Sequence, residues 1–225
     1  MLCWFMLLAF WAQTPDLLTS QFAAQDVALT SNPAASFWRN ITPTVITIDN
    51  FGKQRPGHST EVRSRWTAQN LYFLFTCAYG ELYLHPNPSQ TTETNKLWDW
   101  DVAEVFIGSD FKNIRHYREF EMSPQGEWVD LDIDRSRPDA ADGWKWNSGF
   151  QVSATIDHKN KIWYGAMRIP YSTIDSRPAQ TGNVLRVNFY REQGPPGKRV
   201  EIAWQATMQR TFHVPERFGS LKLTP

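Results

Sequence analysis

The sequence predicts an all-β fold, a two-sheet antiparallel sandwich of about 10–12 short strands. Three observations predict it. Short runs rich in Val, Ile, Phe, Tyr and Trp alternate with turn residues along most of the chain. Side-chain character alternates with period two inside those runs, and no heptad or sustained 3.6-residue pattern appears. The outward parities are polar, as they are when one face of each sheet meets a core and the other meets water.

Taken in order, TEVRSRWTAQNLYFLFTCAY predicts a hairpin turning near Ala68-Gln69-Asn70. Val62, Ser64 and Trp66 alternate with Glu61, Arg63 and Arg65, a half-buried pattern. LYFLFTCA is apolar on both parities, so it should be covered on both sides. NKLWDWDVAEVFIG follows, a strand with tryptophans and aspartates at its mouth and Glu104 in its middle. Ala103, Val105 and Ile107 share one face of it, Glu104 and Phe106 the other. REFEMSPQGEWVDLDID predicts a second hairpin turning at Ser123-Pro124-Gln125-Gly126. FQVSATIDHKNKIWYGAMRIP predicts a third, turning at Asp157-His158-Lys159-Asn160, with Pro170 ending its second strand and YSTID forming one helical turn. VLRVNFYRE and RVEIAW flank the turn GPPGK.

Parity then distributes the polar groups. Phe120 and Met122 should point inward, with Glu119 and Glu121 opposite, and Val129, Leu131 and Ile133 inward, with Trp128, Asp130, Asp132 and Asp134 outward. Leu185, Val187 and Phe189 point inward, leaving Arg186, Asn188 and Tyr190 outward. If these strands are neighbours, one non-core face gathers Glu104, Glu119, Glu121 and several aspartates. Like charges so close repel unless ligands, cations or arginines separate them. Three readings stay open: a solvated acidic face, a calcium site drawing on Asp134, Asp139 and Asp142 of DIDRSRPDAADGW, or a pair of glycosidic-hydrolysis carboxylates. Amide, phenol and guanidinium beside carboxylates also suit the paired hydroxyls of a sugar.

The 225-residue chain carries zero formal net charge, so the electrostatic drive toward nucleic acid or anionic membranes is missing. Among its 11 tryptophans, Trp38, Trp66, Trp163 and Trp204 are expected in the core. Trp98, set among Lys96, Asp99 and Asp101, is expected at a surface, and Trp144 and Trp146 could line a cleft or cap the core. The opening MLCWFMLLAFWAQ reads as the apolar part of a secretory signal, too short at about a dozen residues to span a bilayer. That divides the chain into a signal remnant over 1–12, a linker over 13–24 and a β-domain over 25–225, secreted or periplasmic. Processing would leave Cys77 alone, hence no disulfide framework and no Cys-based zinc site. G-x-S-x-G, phosphate-binding glycine loops and H-E-x-x-H are all missing.

The strand W-x-x-D-x-x-E-V-F-I (Trp98, Asp101, Glu104, Val105-Phe106-Ile107), the later VNFYR, the tryptophan of RVEIAW and the ending PERFGSLKL together resemble the family 9 carbohydrate-binding modules. The likeness runs over roughly residues 36–224. It implies a DOMON-like β-sandwich that clamps a glycan end between two aromatic rings, carries structural calcium and accompanies glycoside hydrolases such as xylanases. Carried over by position, the clamp falls on Trp98 and Phe212, and the sugar-binding strand glutamate on Glu104. A family arginine falls on Glu121, a glutamine on Tyr190 and an asparagine on Gln209, so the polar contacts are rewritten. A carbohydrate ligand for a non-catalytic module is therefore the leading expectation. A glycosidase using two outward carboxylates is one alternative. Haem held between Met122, Met167 or Met208 and His213, as in some DOMON-like relatives, is the other.

Overall fold

A computed structural model describes residues 16–137 and 140–225; the opening apolar run and Asp139 lie outside the described residues. The described chain is all-β, with helix only as short 3-10 turns. Its strands are β1 (Leu17–Phe22), β2 (Thr44–Ile46), β3 (Thr60–Trp66), β4 (Asn70–Ala78), β5 (Val102–Gly108), β6 (His116–Met122), β7 (Trp128–Asp134), β8 (Gln151–Asp157), β9 (Ile162–Pro170), β10 (Val184–Gln193), β11 (Val200–Ala203) and β12 (Gly219–Thr224). The three expected hairpins are β3–β4, β6–β7 and β8–β9, and a 3-10 turn over Tyr171–Thr173 follows Pro170 as expected. Among the described residues no helix is long and apolar enough to cross a membrane.

The strands form one hydrogen-bonded path, β7-β6-β5-β10-β12-β1-β3-β4-β9-β8, with β11 beside β10 and β2 beside β3. This differs from two separate antiparallel sheets. The seam is β1, which runs parallel to both β12 and β3 and joins the halves into a nearly closed, barrel-like sheet. The expected linker over 13–24 therefore contains a strand. LLTSQF alternates buried and exposed residues, but it is short and polar-rich, so its pattern alone resembles a spacer.

The halves curl over each other around a shared core. Phe189 of β10 meets Phe73 and Phe75 of β4 at centroid distances of 5.3 and 6.0 Å. At Gly165 of β9 a Cβ would collide with the Met122 side chain of β6 and come within 2.7 Å of Trp163, so only glycine allows the approach. Trp66, Trp163 and Trp204 belong to this core, as expected. Both faces of β4 are covered: Phe73 and Phe75 enter the main core, while Tyr72 and Leu74 pack with Trp38 in a smaller cluster. A further apolar cluster lies on the other face of β5, β6, β7 and β10, and it underlies the candidate site.

Candidate functional site

Cross-strand register builds the site floor. Tyr190 pairs with Glu104, which pairs with Glu121, which pairs with Val129. One pair along, Asn188 faces Phe106, Phe106 faces Glu119, and Glu119 faces Leu131. The expected gathering of Glu104, Glu119 and Glu121 on one non-core face is present. The aspartates of β7 are not with them. Phe120 pairs with Asp130, so Asp130 and Asp132 share the opposite face, and Val129, Leu131 and Ile133 join the glutamates. The parity reading failed here because β7 serves two apolar clusters, and alternation alone does not say which one a strand faces. Asp130 instead accepts the Ser148 amide at 2.7 Å, and Asp132 pairs with His116 and Arg118.

Above this face opens a cleft of about 660 Å³. Glu104, Phe106, Glu119, Glu192 and Glu201 form its floor, Trp98 and Trp144 line its sides, and Thr211, Phe212 and His213 come from the loop before β12. Trp144 thus belongs to the cleft, whereas Trp146 packs on the main core under the Arg118 guanidinium. Trp98 is half-buried within a 3-10 turn over Leu97–Asp99, entered through Lys96 at a left-handed φ of 62°. Buried Leu97 anchors that turn from below. Arg199 holds it from the side, donating to the carbonyls of Trp98, Asp99 (3.3 Å) and Trp100 (2.6 Å) while pairing with Glu192.

The Phe212 loop is fixed from behind. Phe212 is 7% exposed, and its ring stacks on Tyr190 at 4.1 Å and 11°. Tyr190 donates its hydroxyl proton to the Phe212 carbonyl (2.9 Å) and accepts from the Asn188 amide (2.7 Å). Asn188 also accepts from the Gln205 amide and donates to its carbonyl. Asn188 and Tyr190, expected to meet ligand, are therefore buried groups that hold the Phe212 loop. Glu121 is fully buried under the floor and does not line the cleft, and Gln209 is exposed outside it; neighbouring Arg210 and Thr211 line it instead.

Burial sets the charge state of the floor. It pushes the Glu104 carboxyl well above the usual range, and the negative charges of Glu192 and Glu119 add to the effect. Glu121 rises for the same reason, beside Glu104 and Glu119. Burial lifts Glu119 to about 7 and Glu192 to about 6, the latter despite Arg199. Packed acids share protons rather than all ionising, so this floor is a mixture of acids and carboxylates near neutrality. Burial, with the Arg135 charge behind it, lowers His213 to about 4. Its 3.9 Å approach to Glu119 joins a base pushed down to an acid pushed up, and both shifts disfavour an ion pair. The other ring nitrogen shares a 2.7 Å hydrogen bond with the Tyr117 hydroxyl. One oxygen of Glu104, 1% exposed, has no hydrogen-bond partner among the described residues, whereas Glu119, 4% exposed, is hydrogen-bonded to the Glu121 carboxyl. A protonated acid donates and its carbonyl oxygen accepts, so the floor offers both halves of a hydroxyl contact.

One further expectation is not assembled among the described residues. Met122 and Met167 lie in the main core, across the sheet from His213, and Met208 is exposed, so no Met–His pair brackets a haem-sized space among the described residues. Asp134 accepts from the Ser136 amide and pairs with Arg137 at 3.0 Å. The side chain of Asp142, expected beside it around calcium, is outside what the structure describes. Asp139 lies outside the described residues.

Sequence reasoning missed Glu192, Glu201 and Arg199. Glu192 was within reach, since it extends the Arg186, Asn188, Tyr190 parity of β10 by one step. Glu201 pairs with Glu192 across β10–β11, a register that no local pattern gives.

Residues 31–225 match the family described as carbohydrate family 9 binding domain-like. An extracellular protein of Arthroderma benhamiae is 25% identical over 192 residues, covering 77% of this chain and 84% of that protein. A family 9 carbohydrate-binding module of Caldicellulosiruptor kristjanssonii, solved with cellotriose, superposes with a TM-score of 0.66 at 13% identity, covering 92% of this chain and 93% of that one. A family 9 module of the same organism solved with glucose gives 0.65, again at 13% identity, with coverage of 92% and 96%. The fold, its register and the match over nearly the whole β-domain lead to one conclusion: the chain belongs to the carbohydrate family 9 binding domain-like family.

Proposed function

We propose that this protein is a non-catalytic carbohydrate-binding module acting outside the cell. A sugar residue rests its C–H face on Trp98, with Phe212 on the facing wall, and turns its hydroxyls to Glu104 and Glu119. Trp144 widens the apolar contact. The observation that carries this reading is a cleft in which Trp98, Trp144 and Phe212 gather with the buried carboxyls of Glu104 and Glu119. Buried carboxyls cost stability unless partnered, and a ligand hydroxyl in the cleft would supply a partner. Glucose and cellotriose in the Caldicellulosiruptor structures favour gluco-configured ligands, and the Arthroderma relative's extracellular character favours export and a place beside polysaccharide-degrading enzymes.

Isothermal titration with glucose and cello-oligosaccharides tests it. Saturable heat with the native chain, reduced about tenfold or more in affinity by Trp98→Ala at unchanged melting temperature, is the expected result. No heat with any saccharide, or equal heat with the variant, refutes it. The raised carboxyls also favour a second reading, hydrolysis with one as general acid. Turnover of aryl glycosides that disappears in Glu104→Gln would replace the module by an enzyme.

A further inference from the structure

We propose that the sugar this cleft prefers is a hexuronic acid, whose carboxylate is met by the cations of the cleft mouth. The inference rests on the carbohydrate reading and narrows its ligand class.

Acidic and basic groups are segregated by depth. The acidic residues that line the cleft, Glu104, Glu119, Glu192 and Glu201, all sit on strands and are buried or half-buried. The basic ones, Lys96, Arg135, Arg137 and Arg210, are all exposed. They come from three separate segments: the turn before Trp98, the end of the β6–β7 hairpin, and the loop before Phe212. Positive charge therefore reaches the cleft from three separate segments. Arg137 is engaged with Asp134, but the side chains of Lys96, Arg135 and Arg210 have no ion-pair or hydrogen-bond partner among the described residues. Arg135 lines the same cleft as His213.

A neutral sugar leaves these cations unused. The buried floor does not require them either, because Arg199 and retained protons already offset its acids. A uronic acid lying flat on Trp98 presents ring hydroxyls to the floor and keeps its exocyclic carboxylate at the mouth. There a guanidinium can take both carboxylate oxygens at once, a planar match that a neutral hydroxymethyl group cannot make. The buried floor then discriminates as well, because a carboxylate pushed inward would lose its water without gaining a cation.

The test is titration of the full chain with D-glucose, D-glucuronate and D-glucose 6-sulfate at low and at physiological ionic strength. Glucuronate is expected to bind about tenfold more tightly than glucose at low salt, with the advantage shrinking as exposed charges are screened. In Arg135→Gln/Arg210→Gln the glucuronate-to-glucose affinity ratio should fall to within about twofold. Both positions are exposed, and a melting curve confirms the fold. Glucose binding as well as or better than glucuronate overturns this inference and leaves the carbohydrate reading standing. The sulfate binding tightest also overturns it, since charge alone would then suffice. No binding by any of the three, or by cello-oligosaccharides, overturns both readings.

Discussion

Strands β5, β6 and β10 each have two buried faces, and the faces differ in what burial accomplishes. Toward the main core they present Ala103, Val105, Ile107, Phe120, Val187 and Phe189, whose removal from water stabilises the fold. Toward the cleft, the next residues along the same strands are Glu104, Phe106, Glu119, Glu121, Asn188 and Tyr190, nearly as hidden from solvent. Here burial opposes ionisation, leaves oxygens without partners and relies on Arg199 for compensation. One residue's step along a strand separates a group that holds the protein together from one held ready for something else. Low exposure by itself does not distinguish the two; the presence of buried ionisable groups does.

Three substitutions would break or sharpen that contrast. The largest effect belongs to the core face. Phe189→Ala removes a ring packed on Phe73, Phe75 and Trp204, and chemical denaturation should show a loss of about 3–5 kcal/mol. If that variant unfolds no more easily than the native chain, the core face is not what stabilises these strands.

Arg199→Ala comes next, because it spans the two regimes. It releases the Trp98 turn and exposes Glu192 to its acidic neighbours. We expect a stability loss of about 1–3 kcal/mol together with weaker sugar binding. Arg199→Lys should recover only part of both, since an ammonium cannot reproduce the fork that reaches several carbonyls. Full recovery by lysine would mean that charge alone matters.

The smallest effect is the pH response of the cleft face. Glu119 and Glu192 keep their protons in the fold to about 7 and about 6, whereas unfolded glutamates lose them near 4.5. The folded state therefore binds more protons across that interval, and stability should fall as pH rises from about 4.5 through 7. His213 acts in the opposite sense, subtracting stability only as pH drops from 6.5 toward about 4. Melting should thus be higher at pH 6 than at pH 8. Glu121→Gln should narrow the gap by a few degrees, the scale of about 1 kcal/mol in a chain this long. A native melting temperature that climbs from pH 6 to pH 8 would contradict the buried-acid account.

Much of the fold was legible because strands and turns are local. The alternation in TEVRSRW, the two-sided LYFLFTCA and the stop at Pro170 all reflect period-two geometry and turn chemistry, and each appears as expected. The closure was not legible. Parallel pairing of β1 with β12 joins residues about two hundred positions apart in sequence, and nothing in LLTSQF encodes its partner. The site was legible in part for a similar reason. Trp98, Glu104 and Phe212 followed from strand parity and family resemblance, and all three line one cleft. Asn188 and Tyr190 were misread because outward parity gives a face, not a distance from its surface. Their hydrogen bonds to Gln205 and Phe212 depend on a loop whose course no periodicity describes.

The seam strand has a practical consequence for anyone shortening this protein. Recombinant boundaries set at residue 31, where the family match begins, would delete Leu17–Phe22 and strip both β12 and β3 of a neighbour. Two unsatisfied edges would then confront solvent, each a template for pairing with another molecule. Insolubility in such a fragment would report a missing staple and say nothing about the cleft.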